Sequence, residues 1–165
     1  LSLGATYFHN ELKDLITSDP TSWKYKNMAK VCSKGYEFTS SIKPRHNLSL
    51  RANYTFTDAR DEDTGQALLR RAKNRLTLNT NYRFLGKGDI NLNLVYVGKR
   101  DDLQGGLGTR VTLDGYTLVN LAISYEVIPH VQLFGRIHNL LDKEYEEVNG
   151  YGAPGRSVYI GMDIL

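Results

Sequence analysis

From Leu48 to Thr57 the chain alternates without a break. Leu48, Leu50, Ala52, Tyr54 and Phe56 form one row, and Ser49, Arg51, Asn53, Thr55 and Thr57 form the other. Successive side chains of a strand point to opposite faces, so a row that is apolar beside a row that is polar demands a two-faced β-strand. The same period returns through Leu1, Leu3, Ala5 and Tyr7, extending toward Asn10 before Leu12, Leu15 and Ile16 break it, and through Tyr36, Phe38 and Ile42, ending near Lys43. It continues in Leu76, Leu78, Tyr82 and Phe84, in Ile90, Leu92, Leu94 and Tyr96, and in Val119, Leu121, Ile123, Tyr125 and Val127. Val131, Leu133 and Ile137 precede a closing run of Val158, Ile160, Met162 and Ile164 against Ser157, Tyr159, Gly161 and Asp163. The chain is therefore expected to be all-β, with eight antiparallel strands.

The connections alternate as strictly as the residues. Short turns are expected at 44–47, 85–89 and 128–130, and long ones at 17–28, 58–74, 99–115 and 139–156. Asp19-Pro20 marks the first long loop, and 139–156 is too rich in Gly, Pro and charge to suggest regular structure. Outer-membrane barrels carry this asymmetry, with short periplasmic turns and long extracellular loops. A C-terminus on the periplasmic side places all four long loops outside the cell.

No apolar stretch approaches the roughly 18 residues of a transmembrane helix. A barrel strand needs only about ten residues with every second one apolar, so a mean hydropathy of −0.41 is compatible with membrane strands. A soluble lipocalin-like barrel shows the same period with its apolar row inward. Two features favour lipid. Arg51, Arg83, Arg136, Asn79 and Asn93 in the polar row suit a wet lumen, and aromatics end the apolar row as interfacial girdles do. Tyr82, Phe84 and Tyr125 lie near short turns, and Tyr54, Phe56 and Tyr96 near long loops. The net charge of +3 is scattered, without the clustered basic face that nucleic acid requires.

Signals for chemistry are sparse. Cys32 is the sole cysteine, which excludes a disulfide framework within the chain, and no base flanks it in sequence. Asp58, Asp61, Glu62 and Asp63 before Gly65 offer oxygen ligands of the kind calcium takes, yet lack the EF-hand spacing, so a solvated loop is the expectation. His9, His46, His130 and His138 sit on different elements, and Gly105-Gly106-Leu107-Gly108 lacks the strand and helix of a phosphate cradle. No nucleophile or acid–base arrangement is recognisable, so no enzyme activity, metal or cofactor is expected. The loops remain as binding surface. Trp23, Tyr25, Arg100, Tyr116, Tyr145 and Tyr151 could supply stacking area and charge to a bulky, partly anionic ligand, or pack the loops together.

Asn139-Leu140-Leu141-Asp142-Lys143-Glu144-Tyr145, then Tyr151-Gly152 with Pro154-Gly155-Arg156 and a closing alternating strand, resemble the C-terminal end of TonB-dependent outer-membrane receptors. Gly35-Tyr36-Glu37 resembles the Gly-Val-Glu of the same proteins, and the overall likeness is greatest to receptors for cobalamin, siderophores or haem. The resemblance implies that residues 1–165 are the last part of a 22-stranded barrel with a plugged lumen. Leu1 already lies in an alternating run, with no signal peptide or plug in the chain. It also implies outer-membrane lipid, the TonB complex acting through the plug, the barrel-assembly machinery and a scarce nutrient as partners. In the last strand, Tyr159, Gly161 and Ile164 stand where relatives carry their assembly signal. Two departures stand out. Ala72 follows Arg70-Arg71 where relatives carry proline, and the terminal aromatic of the apolar row would fall at position 166, beyond Leu165. The alternatives are a self-contained eight-stranded outer-membrane barrel, an adhesin or structural protein, and a soluble ligand-binding barrel.

Overall fold

The computed structural model describes residues 1–18, 22, 24–106 and 108–164. Trp23, Asp19-Pro20, Leu107 and Leu165 lie outside them. Eight long strands form one antiparallel sheet: β1 (Ser2–Ser18), β2 (Tyr25–Arg45), β3 (Leu48–Asp61), β4 (Asn74–Phe84), β5 (Gly88–Val97), β8 (Tyr116–Ile128), β9 (Val131–His138) and β12 (Ser157–Ile164). Each pairs with the next in that order. Two short hairpins stand apart from the sheet, β6 (Arg100–Leu103) with β7 (Arg110–Leu113), and β10 (Glu146–Val148) with β11 (Tyr151–Gly152).

The register aligns the apolar rows of all eight strands on one face. Across the middle of the sheet, Ser40 pairs with Ala52, Ala52 with Leu78, Leu78 with Leu94 and Leu94 with Val119. Farther along, Ile137 pairs with Val158 and Leu133 with Met162. From Leu48 to Phe56 the band runs about 27 Å along the strand, or about 20 Å at a typical tilt, near the roughly 25 Å expected of a lipid-facing band. Aromatics border it at both ends. Tyr7 lies against Tyr36 with ring centroids 5.3 Å apart on the long-loop side, and Phe84 stacks on Tyr125 at 5.8 Å on the short-turn side.

Among the described residues nothing covers this band. The buried apolar residues among those described are Val31, Ala59, Val97, Leu113 and Tyr116, and none of them belongs to it. Leu3, Phe38, Leu78, Leu92, Ile123, Leu133 and Ile160 are all exposed. At about 25 cal/mol per Å² of apolar surface, so wide a band in water is strongly unfavourable, whereas in lipid it is solvated by its like. The opposite face is polar and joined side chain to side chain. Asn81 Nδ2 donates to Asn91 Oδ1 at 2.9 Å, Asn93 Nδ2 to Asn79 Oδ1 at 2.8 Å, and Asn120 Nδ2 to Asn93 Oδ1 at 2.9 Å.

The strands outrun the sequence expectation at the long-loop end. The β1–β2 ladder continues to Ser18 opposite Tyr25, so the first long connection is 19–24 rather than 17–28. Asp14, at φ 56°, interrupts that ladder without changing its register. The physical reason is that the apolar period ends at the band, not at the strand: beyond Tyr7 the same row carries His9, Glu11 and Lys13. The cross-strand register also brings Cys32 Sγ to 3.4 Å from His9 Nε2, a neighbour that sequence distance conceals. Segments 99–115 and 139–156 are more regular than expected, because each folds back into its own hairpin.

The sheet is open. β1 and β12 are its edges and do not pair with each other, so these eight strands do not close into a barrel of their own. In β12, Gly161 is the one residue that fits beneath Phe134 of β9: a Cβ there would sit 2.3 Å from the ring. An aromatic laid over a cross-strand glycine shields backbone that would otherwise be bare.

Candidate functional site

The connections 62–73, 98–115 and 139–156 emerge from the same end of the sheet and are fastened to one another by a carboxylate. Asp102 lies within β6, opposite Val111 of β7, with its side chain fully buried. Its Oδ1 accepts from Arg70 Nε and from the Leu103 N–H, both at 2.8 Å, and its Oδ2 accepts from the Asn149 N–H at 2.8 Å. One residue thus ties all three connections. Burial pushes the Asp102 carboxyl up, but the Asn149 and Leu103 N–H groups and the Arg70 guanidinium outweigh it and hold the group below its ordinary value. Around this latch, Arg110 Nη1 meets Asp101 Oδ2 at 2.8 Å while its Nη2 donates to the Ala67 carbonyl at 2.7 Å, and the Arg70 N–H donates to the Asp101 carbonyl.

Arg100, Tyr116 and Tyr145 are brought together. Tyr116 opens β8 opposite Val97, its ring 4.4 Å from that of Tyr145, and the Arg100 guanidinium lies 5.3 Å from the Tyr116 centroid. Arg100 also donates to the Glu146 carbonyl, while its Nη1 is buried without a partner. Arg100 and Tyr116 are 6% and 7% exposed, so they face protein rather than solvent. Tyr25, at the start of β2, and Tyr151, in β11, stand apart from this cluster with most of their surface exposed.

The acidic segment is engaged by cations and turns. Asp58 accepts from Arg60 Nε at 3.0 Å, Lys30 reaches Glu62 at 2.8 Å, and Asp61 Oδ1 caps the N–H groups of Asp63 and Thr64. Among the described residues no group of three or more His, Cys, Asp or Glu converges. Asp102, Arg70 and Asn149 were not singled out by sequence, where they are ordinary polar residues of charged loops.

The Asn139–Tyr145 motif has a local explanation. Asn139 follows β9 at φ 50° and is 4% exposed. Its N–H donates to Asn120 Oδ1 at 3.0 Å, its Oδ1 accepts the Lys143 N–H at 2.8 Å and its Nδ2 donates to the Lys143 carbonyl at 2.9 Å. Asp142 Oδ1 then accepts the Arg156 N–H at 2.7 Å, closing the segment onto the start of β12. Asn139→Ala is expected to cost about 2–3 kcal/mol, from lost amide bonds and from strain at positive φ. Asn139→Gly should recover about 1 kcal/mol of that, since glycine adopts this backbone freely. Thermal midpoints of heat-modifiable gel migration would show it, and equal damage from both substitutions would rule out the backbone contribution.

The family described as TonB dependent receptor-like, beta-barrel matches residues 1–140. The chain is 35% identical to the vitamin B12 transporter BtuB of Vibrio cholerae serotype O1, over 95% of this chain and 26% of that protein. It therefore spans about a quarter of the length of the curated relatives it matches. Among solved structures, it superposes on the ferripyoverdine receptor of the outer membrane of Pseudomonas aeruginosa with a TM-score of 0.81 at 20% identity, covering 98% of this chain and 24% of that one. The siderophore receptor PirA from Acinetobacter baumannii gives 0.78 at 17% identity, with 98% and 29% covered.

Proposed function

The chain belongs to the TonB-dependent receptor-like β-barrel family, and from that premise we propose that it is the C-terminal wall of an outer-membrane receptor that imports a scarce, bulky nutrient. The observation that carries the proposal is the uncovered apolar band ending, at one side only, in long connections locked around Asp102. Such a wall sits in lipid and holds a preorganised rim above it. Further strands of a larger barrel pair with the open edges of β1 and β12, and a plug fills its lumen.

The relatives' names suggest the substrate class: vitamin B12 for one, ferripyoverdine for a second and a siderophore for a third. Cobalamin, a ferric siderophore or haem is the proposed cargo, and the family's description points to the TonB complex, acting through the plug, as the energy source. Exposed Tyr25 and Tyr151, with Trp23, form part of the proposed contact surface, while Arg100, Tyr116 and Tyr145 act behind it by holding the rim in shape. The names carried by the family and its relatives are those of receptors and transporters rather than enzymes. Tyr159, Gly161 and Ile164 of the last strand are proposed as the segment the barrel-assembly machinery recognises.

Deleting the full-length gene and measuring uptake of radiolabelled cobalamin, ferric siderophores and haem tests this. Loss of one uptake activity, restored by the gene only in cells with a working TonB, is the expected outcome. Unchanged uptake of all three would sink it.

A further inference from the structure

We propose that the short-turn end of the sheet docks on anionic phospholipid of the inner leaflet, with Lys43, Arg45 and Lys87 meeting the phosphates and Leu85 and Ile128 entering the acyl boundary. The turns are joined into one rim. The Asn47 carbonyl accepts the Arg83 N–H at 2.8 Å, Asn47 Nδ2 donates to the Arg83 carbonyl at 3.1 Å, and the Lys87 carbonyl accepts the Glu126 N–H at 3.0 Å. Aromatics set the height of this rim. Phe84 lies over Gly88, leaving no room for a Cβ there, and stacks on Tyr125 at the border of the apolar band. Such rings sit at the level of lipid headgroups, so Leu85, the next residue of the chain, reaches that boundary.

Charge in these turns has one sign. Residues 43–47, 85–88 and 127–131 contain no carboxylate, and Lys43, Arg45 and Lys87 are exposed, with no ion pair among the described residues. The acidic residues at this end of the strands, Asp89, Glu126 and Asp163, stand in the polar row on the other face, where Arg83 lies 3.5 Å from Asp89. At the long-loop end the signs are matched, as where Lys30 meets Glu62 at 2.8 Å and Glu11 at 3.6 Å. The tip of the rim is apolar. In the turn Phe84-Leu85-Gly86-Lys87 the Lys87 N–H donates to the Phe84 carbonyl at 3.2 Å, with φ 51° at Leu85 and 68° at Gly86. Positive φ at both central residues belongs to a hairpin turn that ordinarily takes Asn, Asp or Gly first. Here a leucine, 81% exposed, carries that backbone strain, and Ile128 at the end of β8 is 58% exposed. Exposed apolar tips beside unpaired cations have the composition of a membrane-surface anchor, and Lys and Arg at a membrane surface are drawn to anionic headgroups.

The inference rests on the sheet being a membrane wall, which a receptor that stays monodisperse without detergent would overturn separately. The test uses the full-length receptor in detergent, with phosphatidylglycerol and phosphatidylethanolamine of identical acyl chains as probes in native mass spectrometry. Phosphatidylglycerol is expected to be retained about tenfold or more over phosphatidylethanolamine. Lys43→Gln/Arg45→Gln/Lys87→Gln should bring the two lipids within about twofold, whereas Lys99→Gln, at the opposite rim, should keep the preference. A spin label at Leu85, in the otherwise unaltered receptor in vesicles containing phosphatidylglycerol, reads the contact even if the triple variant misfolds. It should collide with oxygen dissolved in lipid more than with a water-soluble nickel chelate. Equal retention of both lipids, a preference that survives the triple variant or is lost equally with Lys99→Gln, or a Leu85 label that meets mainly the chelate, as a tip in water or against an acidic protein would, would each overturn it.

Discussion

Asp102→Ala should loosen the whole rim while leaving the sheet intact. The substitution strips the acceptor from two backbone N–H groups, those of Leu103 and Asn149, and from Arg70. Unsatisfied buried donors and a broken buried pair cost about 2–4 kcal/mol together, with the Arg70 share at the low end because that side chain is half in solvent. Amide exchange at 99–115 and 139–156 is expected to speed up by about thirtyfold or more, with the strands β3, β4 and β5 unchanged. Nutrient affinity should fall as the rim loses its preorganisation. Arg70→Ala, which leaves the two N–H bonds in place, should do less. Equal exchange in the variant and the native protein would show that the three connections are held by something else.

The same latch has a pH dependence of definite sign. Asp102 is held below its ordinary value of 3.8, so its contribution is complete above about that pH and is lost as pH falls through its lower, folded value. Rim protection should persist at about pH 5 and decline only in stronger acid. Protection already lost at mildly acidic pH would point to a different titrating group.

Leu78→Arg should be nearly as damaging, by a different route. Leu78 stands between Ala52 and Leu94 at the middle of the band, where a guanidinium meets hydrocarbon and costs about 2–4 kcal/mol. Its neighbour Thr77 faces the other way, opposite Asn53 and Val95, where Thr77→Arg should be close to neutral. Folding equilibria in lipid vesicles would separate the two. The reverse order, Thr77→Arg severe and Leu78→Arg mild, is what a water-soluble barrel with an apolar interior would give.

The faces of the sheet were legible in the sequence because period two is a local property: Leu48 to Thr57 reveals both rows without any knowledge of its partners. Strand length was less so, since the row beyond Tyr7 turns polar at His9, Glu11 and Lys13 while the backbone ladder runs on to Ser18. Choosing Arg100, Tyr116 and Tyr145 by chemistry picked residues that do meet, but chemistry alone does not show that they turn inward. Asp102 stayed hidden because its burial is made by Arg70 and Asn149, which stand 32 and 47 residues away. Asn139 could be read only as part of a family pattern until its positive φ and four hydrogen bonds gave the pattern a cause.

The most direct test of the membrane wall is a spin-label scan of positions 50–55 in the full-length receptor embedded in outer-membrane vesicles. Labels at Leu50, Ala52 and Tyr54 should collide with oxygen dissolved in lipid, and labels at Arg51, Asn53 and Thr55 with a water-soluble nickel chelate, alternating residue by residue. Absence of that alternation, or its reversal, would contradict the assignment of the apolar row to lipid and with it the receptor architecture.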